Sequence, residues 1–125
     1  MKKNDDIFSS EKTLHVLREI ERNPKITQRD LSGKLQISLG RINFFINALV
    51  QKGIIEITNF KNSKNKLAYM YLLTPQGIRI KIQLTRKFFI WKTQEFEKLK
   101  KELENFRREI KPQDVNTRNS QHALR

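Results

Sequence analysis

The stretch SLGRINFFINALVQKG, residues 38–53, constrains the fold more than any other part of the chain. Its apolar residues Ile42, Phe45, Ile46 and Leu49 recur at steps of three and four, the spacing of one helix face. Gly40, Phe44, Asn47 and Gln51 fall on the other side, with Arg41 and Asn43 at its flanks. Both ends are encoded as well. Ser38 suits an N-cap, its hydroxyl accepting from an amide of the first turn, and Gly53 suits the left-handed residue that stops a helix. One face therefore belongs to a core. The other, rich in amide side chains and free of acid, has the dimensions and chemistry of an element that enters the major groove of duplex DNA.

The flanking sequence supplies the rest of a helical head. From Ser9 or Ser10 onward, Leu14, Leu17 and Ile20 share one side of a first helix. It stops at Asn23, because the residue ahead of Pro24 is pushed out of the helical region. Ile26 is expected as a lone buried residue in extended backbone. Thr27-Gln28-Arg29-Asp30 has the form of a capping box and opens a short second helix with Leu31 and Leu35 inward. Gln36-Ile37 makes the turn, Ile37 filling the corner, so that the two helices form a helix-turn-helix. Residues 1–8 are expected to fray.

After Gly53 the period changes from that of a helix to that of a strand. Ile55, Ile57 and Asn59 alternate with Glu56 and Thr58, KNSKNK interrupts, and LAYMYLL resumes with strand formers. This predicts a β-hairpin whose flexible tip carries Lys61, Lys64 and Lys66 and no acid: a wing. Thr74 then caps a new helix with Pro75 at its first position, where a missing N–H costs nothing. Without a further proline it runs from 75 to about 111, roughly 55 Å. Counted in sevens, Ile82, Phe89, Phe96, Leu103 and Ile110 occupy one core position, and Ile78, Thr85, Lys92, Leu99 and Phe106 the other. The register is clean from Phe96 onward. It places Glu95, Glu102 and Glu109 at g and Lys100 and Arg107 at e, so a parallel pair sets opposite charges across the seam where an antiparallel pair faces glutamate with glutamate. A second stripe, Ile80, Leu84, Phe88 and Trp91, packs on its own domain or on the partner's; with Phe89 these aromatics read as core or seam rather than a ligand box.

Composition narrows the chemistry. The chain has 125 residues, room for one core and an appendage, with 26 Lys and Arg against 13 Asp and Glu, a formal net charge of +13. Such a balance favours a polyanionic partner. Absence of cysteine excludes disulfides, thiol nucleophiles and cysteine metal sites. No apolar run reaches membrane length and the start MKKNDDIF lacks the apolar segment of a signal peptide, so a soluble cytoplasmic protein without a membrane partner is expected. No Gly-rich phosphate loop, HExxH or nucleophile with a nearby base is present, and Asp30 is explained as a cap. Neither enzymatic activity nor a cofactor is expected. His15 and His122 lack a second ligand at metal spacing.

With the segments ITQRDLSGKLQISLGRINFFINALVQKGIIEI and YLLTPQG in place, the chain resembles MarR-type winged-helix regulators, and among them the small bacterial MarR-like regulators associated with exopolysaccharide (EPS) gene clusters. The resemblance spans about residues 11–104. It implies a DNA-binding transcriptional regulator that acts as a homodimer on a near-palindromic operator. Positions matching the recognition helix are Ser38, Gly40, Arg41, Asn43, Phe44 and Asn47, and those matching the wing tip are Lys61, Lys64 and Lys66. Most of the family dimerise through helices from both chain ends. Here too little sequence precedes Ser9, which leaves dimerisation to Phe89, Phe96, Leu99, Leu103, Phe106 and Ile110 of the terminal helix. No residue names a small-molecule effector.

The expected fold is thus mainly α with a small β-hairpin: a winged helix-turn-helix over residues 9–74, a long dimerisation helix over 75–111, and a disordered tail over 112–125. Thr27, Gln28 and the amides opening helix two are expected on a phosphate. Asn43 and Asn47 suit adenine and Arg41 guanine, the bland reading being a solvated surface. Phe44 either rests on a thymine methyl or packs under helix one or the wing. The wing lysines contact phosphates or serve as a solubilising loop. Arg79, Lys81, Arg86, Lys87 and Lys92 either widen that footprint or form a solvated helix face. Against the double-stranded DNA partner stands one alternative, a non-enzymatic protein-interaction or assembly module using the winged helix and coiled coil.

Overall fold

The computed structural model describes residues 8–110. In order they form α1 (Glu11–Arg22), α2 (Gln28–Leu35), α3 (Leu39–Gln51), β1 (Ile55–Lys61), β2 (Leu67–Leu73) and α4 (Pro75–Glu109), with β1 and β2 paired antiparallel. The expected tail over 112–125 and the expected frayed residues 1–7 lie outside the described residues. Phe8 corrects that expectation. Its ring packs half-buried against the core, with the Lys52 ammonium 5.5 Å from its centroid, because an aromatic face gains more from such cover than from water.

Helix starts fall on hydroxyl side chains. Ser10 Oγ accepts from the Thr13 amide at 3.1 Å, Thr27 Oγ1 from Asp30 at 3.0 Å, Ser38 Oγ from Arg41 at 3.2 Å and Thr74 Oγ1 from Gly77 at 3.0 Å. Each cap satisfies an amide with no intrahelical partner and contributes about 1 kcal/mol. Stops are equally local. Gln36 ends α2 in the left-handed region, and Gly53 does so after α3 with φ at 77°. There the Ile54 amide reaches back to the Leu49 carbonyl (2.9 Å) and the Gly53 amide to that of Val50 (3.0 Å).

Two compact units divide the described residues, one reaching to Phe88 and the other beginning at Phe89. In the first, Leu14, Leu17 and Ile20 of α1, Leu31 of α2, and Ile42, Ile46 and Leu49 of α3 meet in one core, joined by Ile26, Ile37 and Ile54 from the connections. Burying each such side chain contributes roughly 1.5–3 kcal/mol. The unit extends into α4 because Leu84 is buried in the same core, with Ile80 and Phe88 half-buried against it. Of that stripe these three pack on their own domain, while Trp91 remains 46% exposed. In the second unit α4 continues, its side chains solvent-exposed as far as Glu109.

The hairpin pairs Ile55 with Leu73 and continues in register to Lys61 with Leu67. Ile55 and Tyr71 are buried at its base, but Ile57, expected to follow them by simple alternation, is 42% exposed. Further out, Thr58, Phe60, Ala68 and Met70 of the opposite face are half-buried. A two-stranded ribbon twists strongly, so the side it turns to the protein changes along its length. The Lys25 ammonium covers the Phe60 ring at 4.7 Å, and the Tyr71 amide donates to the Pro24 carbonyl at 2.9 Å, which anchors the α1–α2 connection to β2. Among the described residues no helix is long and apolar enough to cross a membrane.

The hairpin is clamped at its root. Thr74 Oγ1 donates to the carbonyls of Gly53 (2.6 Å) and Ile54 (3.1 Å), and the Thr74 amide donates to Ile54 as well (3.0 Å). Gly77 then passes so close that a Cβ on it would lie 2.0 Å from the Ile54 carbonyl oxygen. Only glycine fits. Gly77→Ala is expected to lower stability by about 3 kcal/mol in a urea titration. Gly33→Ala in α2, where an added methyl meets nothing within 4 Å, should leave it unchanged or raise it by up to about 1 kcal/mol.

Candidate nucleic-acid interface

Turning Ile42, Phe45, Ile46 and Leu49 into the core leaves the opposite face of α3 in solvent: Ser38, Gly40, Arg41, Asn43, Phe44 and Asn47 are all exposed. No acid lies on the helix. Phe44, left between two readings above, points outward at 50% exposure, edge-on to the buried Phe45 with ring centroids 6.3 Å apart. The Arg41 guanidinium lies 5.4 Å from the Phe45 ring, a contact that stiffens its stem and leaves the group exposed.

Three amide side chains and one phenol run across this surface in a line. Gln28 Nε2 donates to the Tyr71 hydroxyl at 3.3 Å, Asn43 Nδ2 donates to Gln28 Oε1 at 3.2 Å, and Asn47 Nδ2 donates to Asn43 Oδ1 at 3.1 Å. Gln28 thus has both ends of its side chain in internal bonds. What it brings to an anion is its backbone amide at the opening of α2, beside the exposed cap Thr27. An open hollow lined by Gln28, Arg29, Leu39, Gly40 and Asn43 joins the start of α2 to the start of α3. An added Cβ at Gly40 would meet nothing within 4 Å of it.

The turn between α2 and α3 is set by Ser32. Its hydroxyl donates to the Ile37 carbonyl at 2.6 Å while the Ile37 amide donates to the Ser32 carbonyl at 3.2 Å. Sequence reasoning missed this residue, since a serine inside a polar helix carries no short-range sign of a partner across the turn. It missed Tyr71 for the same reason, since its side-chain partner Gln28 lies on another element.

Lys61, Lys64 and Lys66 are exposed at the hairpin tip. Asn62 organises the tip expected to be flexible. Its Oδ1 accepts from the amides of Lys64 (2.9 Å) and Lys66 (3.0 Å), and its own amide donates to the Lys66 carbonyl at 2.9 Å. The basic run on α4 divides. Lys81 pairs with Glu21 of α1 and Lys87 Nζ donates to the Ser9 carbonyl at 3.0 Å, so these two tie α4 to the head, whereas Arg79 and Arg86 are exposed. His15 faces Glu11 at 3.6 Å, and among the described residues no three His, Cys, Asp or Glu side chains are grouped to hold a metal ion.

Residues 9–56 match the family described as winged helix-turn-helix DNA-binding. The head is a winged helix-turn-helix. In it α3 is the second helix of the helix-turn-helix and the β1–β2 hairpin is the wing. Solved structures of the same fold include a MarR variant from E. coli complexed with operator DNA, 25% identical, with a TM-score of 0.50 over 68% of this chain. The chain spans 65% of that protein's length. A MepR variant from S. aureus is 17% identical with a TM-score of 0.59, covering 99% of this chain and 86% of its own. Another MepR variant, bound to an oligodeoxyribonucleotide, is 18% identical with a TM-score of 0.54, covering 88% of each chain. No curated protein matches the chain in sequence.

Asn62→Ala is expected to open the wing turn without unfolding the head. Hydrogen exchange at the Lys64 and Lys66 amides should accelerate about fivefold, the loss at each of one bond of about 1 kcal/mol, with the urea midpoint unmoved.

Proposed function

We propose that the chain is a sequence-specific, double-stranded DNA-binding transcriptional regulator that acts as a non-enzymatic homodimer on a near-palindromic operator in the cytoplasm. The observation that carries this reading is the acid-free outward face of α3, where Arg41, Asn43, Phe44 and Asn47 stand exposed beside the open amides of α2. An arginine and amide side chains on a helix of this size match the donor and acceptor patterns of major-groove base edges, and the Phe44 ring suits a thymine methyl. Ser38, Gly40, Thr27 and the amides of Gln28 and Arg29 sit where the helix ends approach the backbone. Lys61, Lys64 and Lys66 extend the footprint along it and contribute salt-dependent affinity without reading sequence. Operator DNA in a structure of like fold supports the same partner. Exopolysaccharide genes are the target that the sequence resemblance suggests.

Dimerisation falls to the second unit. Phe89, Phe96, Leu99, Leu103 and Phe106 are exposed in the single chain, with Ile110 half-buried at their end, a longer apolar stripe than a solvated monomeric helix presents. A second copy is the occupant whose charges fit. In parallel register Glu95 meets Lys100 and Glu102 meets Arg107, each exposed pair worth only about 0.2–1 kcal/mol, enough to choose orientation while the apolar seam supplies association. Two heads so joined address half-sites about one DNA turn apart, and the operator inherits the two-fold symmetry.

Selection of bound sequences from random duplex DNA tests the reading: a two-fold-related motif is expected, and retention no better than that of any basic protein would overturn it. Replacing Lys61, Lys64 and Lys66 with alanine should leave the selected motif intact. The slope of log K against log salt should become shallower by about 0.9 for each phosphate that is no longer neutralised. Gly40→Ala is expected to hold or raise thermal stability, through helix propensity worth about 1 kcal/mol, while weakening binding to the selected duplex at least about tenfold by crowding the backbone approach.

A further inference from the structure

Each side-chain amide has two N–H donors and one carbonyl oxygen. In the line running from Tyr71, Asn43 has one N–H on Gln28 and its oxygen on Asn47, so it is engaged on both sides. Asn47, at the end of the line, has given one N–H to Asn43. The residue is exposed, and among the described residues its second N–H and its oxygen make no further hydrogen bond. Those are the two groups that pair with N7 and the N6 amino group of adenine in the major groove.

From this we propose that Asn47 reads an adenine and that Asn43, Gln28 and Tyr71 are positioning residues that hold it in the reading orientation. The inference rests on the DNA-binding reading above and replaces the expectation that each asparagine pairs with its own base. The far end of the relay is fixed. Tyr71 is 5% exposed, its ring lies in the core, and its backbone amide donates to Pro24. An asparagine held before the duplex arrives has less freedom to lose on binding, and its discrimination is sharper for that reason. The relay also couples strand β2 of the wing to the reading helix, so a disturbance at the hairpin base reaches one base pair rather than the whole footprint.

The test compares sequence selection from random duplex DNA by the full chain with selection by Asn47→Ala, Asn43→Ala and Tyr71→Phe, together with the salt slope and urea midpoint of each. The unaltered chain should enrich an A·T pair that Asn47→Ala loses by roughly 10- to 100-fold, the worth of one bidentate contact. Asn43→Ala and Tyr71→Phe should reduce preference at that same pair by about 3- to 10-fold, as expected for one missing hydrogen bond acting through another side chain. Other positions and the salt slope should hold. Tyr71→Phe keeps the ring in the core, so a changed preference at an unchanged urea midpoint separates positioning from stability. Reduced preference at a different pair in Asn43→Ala, disappearance of a G·C pair in Asn47→Ala, or no effect of Tyr71→Phe would each overturn the relay while leaving sequence-specific binding intact. Failure of the unaltered chain to enrich any motif overturns both.

Discussion

Burial of Ile42, Phe45, Ile46 and Leu49 on one side of α3 is the constraint on which the rest of this structure depends. Four large side chains removed from water fix the rotation of the helix about its axis more firmly than any surface contact. Once that rotation is set, 3.6-residue geometry decides what faces outward. Rotating the helix far enough to hide Arg41 or Asn47 would bring an apolar residue of comparable size into solvent. The outward face is thereby as well specified as the core.

Around that helix the polar interactions act at short range and each sets one angle. Ser32 holds the α2–α3 turn, Thr74 and Gly77 clamp the hairpin root onto Ile54, and Gln28 joins α2 to both α3 and β2. Charge is divided in the same way. Lys81 and Lys87 tie α4 to the head, whereas the wing-tip lysines, Arg29 and Arg41 are turned outward at the proposed interface. Net charge alone does not report this division, because a lysine on a carboxylate and a lysine in solvent count alike.

Much of the architecture was legible because it is encoded locally. The caps at Thr27, Ser38 and Thr74, the proline that ends α1 and the left-handed turn at Gly53 each need only a few neighbouring residues, and the change of period after Gly53 announces the hairpin. Legibility failed where partners are distant in sequence. Phe8 was read as part of a frayed start because its cover comes from Lys52 and the core. Ile57 was placed by alternation alone, which knows nothing of ribbon twist or of where the core ends. The place of Gln28 at a helix start gave no sign of its side-chain partners, because Asn43 and Tyr71 lie on other elements.

By itself, the sequence determined which segments are helix and strand, where they begin and end, and which residues of α3 are apolar, since these follow from propensity, capping and periodicity within a few turns. Only the tertiary structure decided that Gln28 serves its neighbours, that Asn43 and Asn47 are linked in a line anchored on Tyr71, that Gly77 cannot be other than glycine, and that two of the basic residues on α4 hold α1. Those outcomes depend on distances between residues far apart along the chain, which close packing sets and local chemistry cannot.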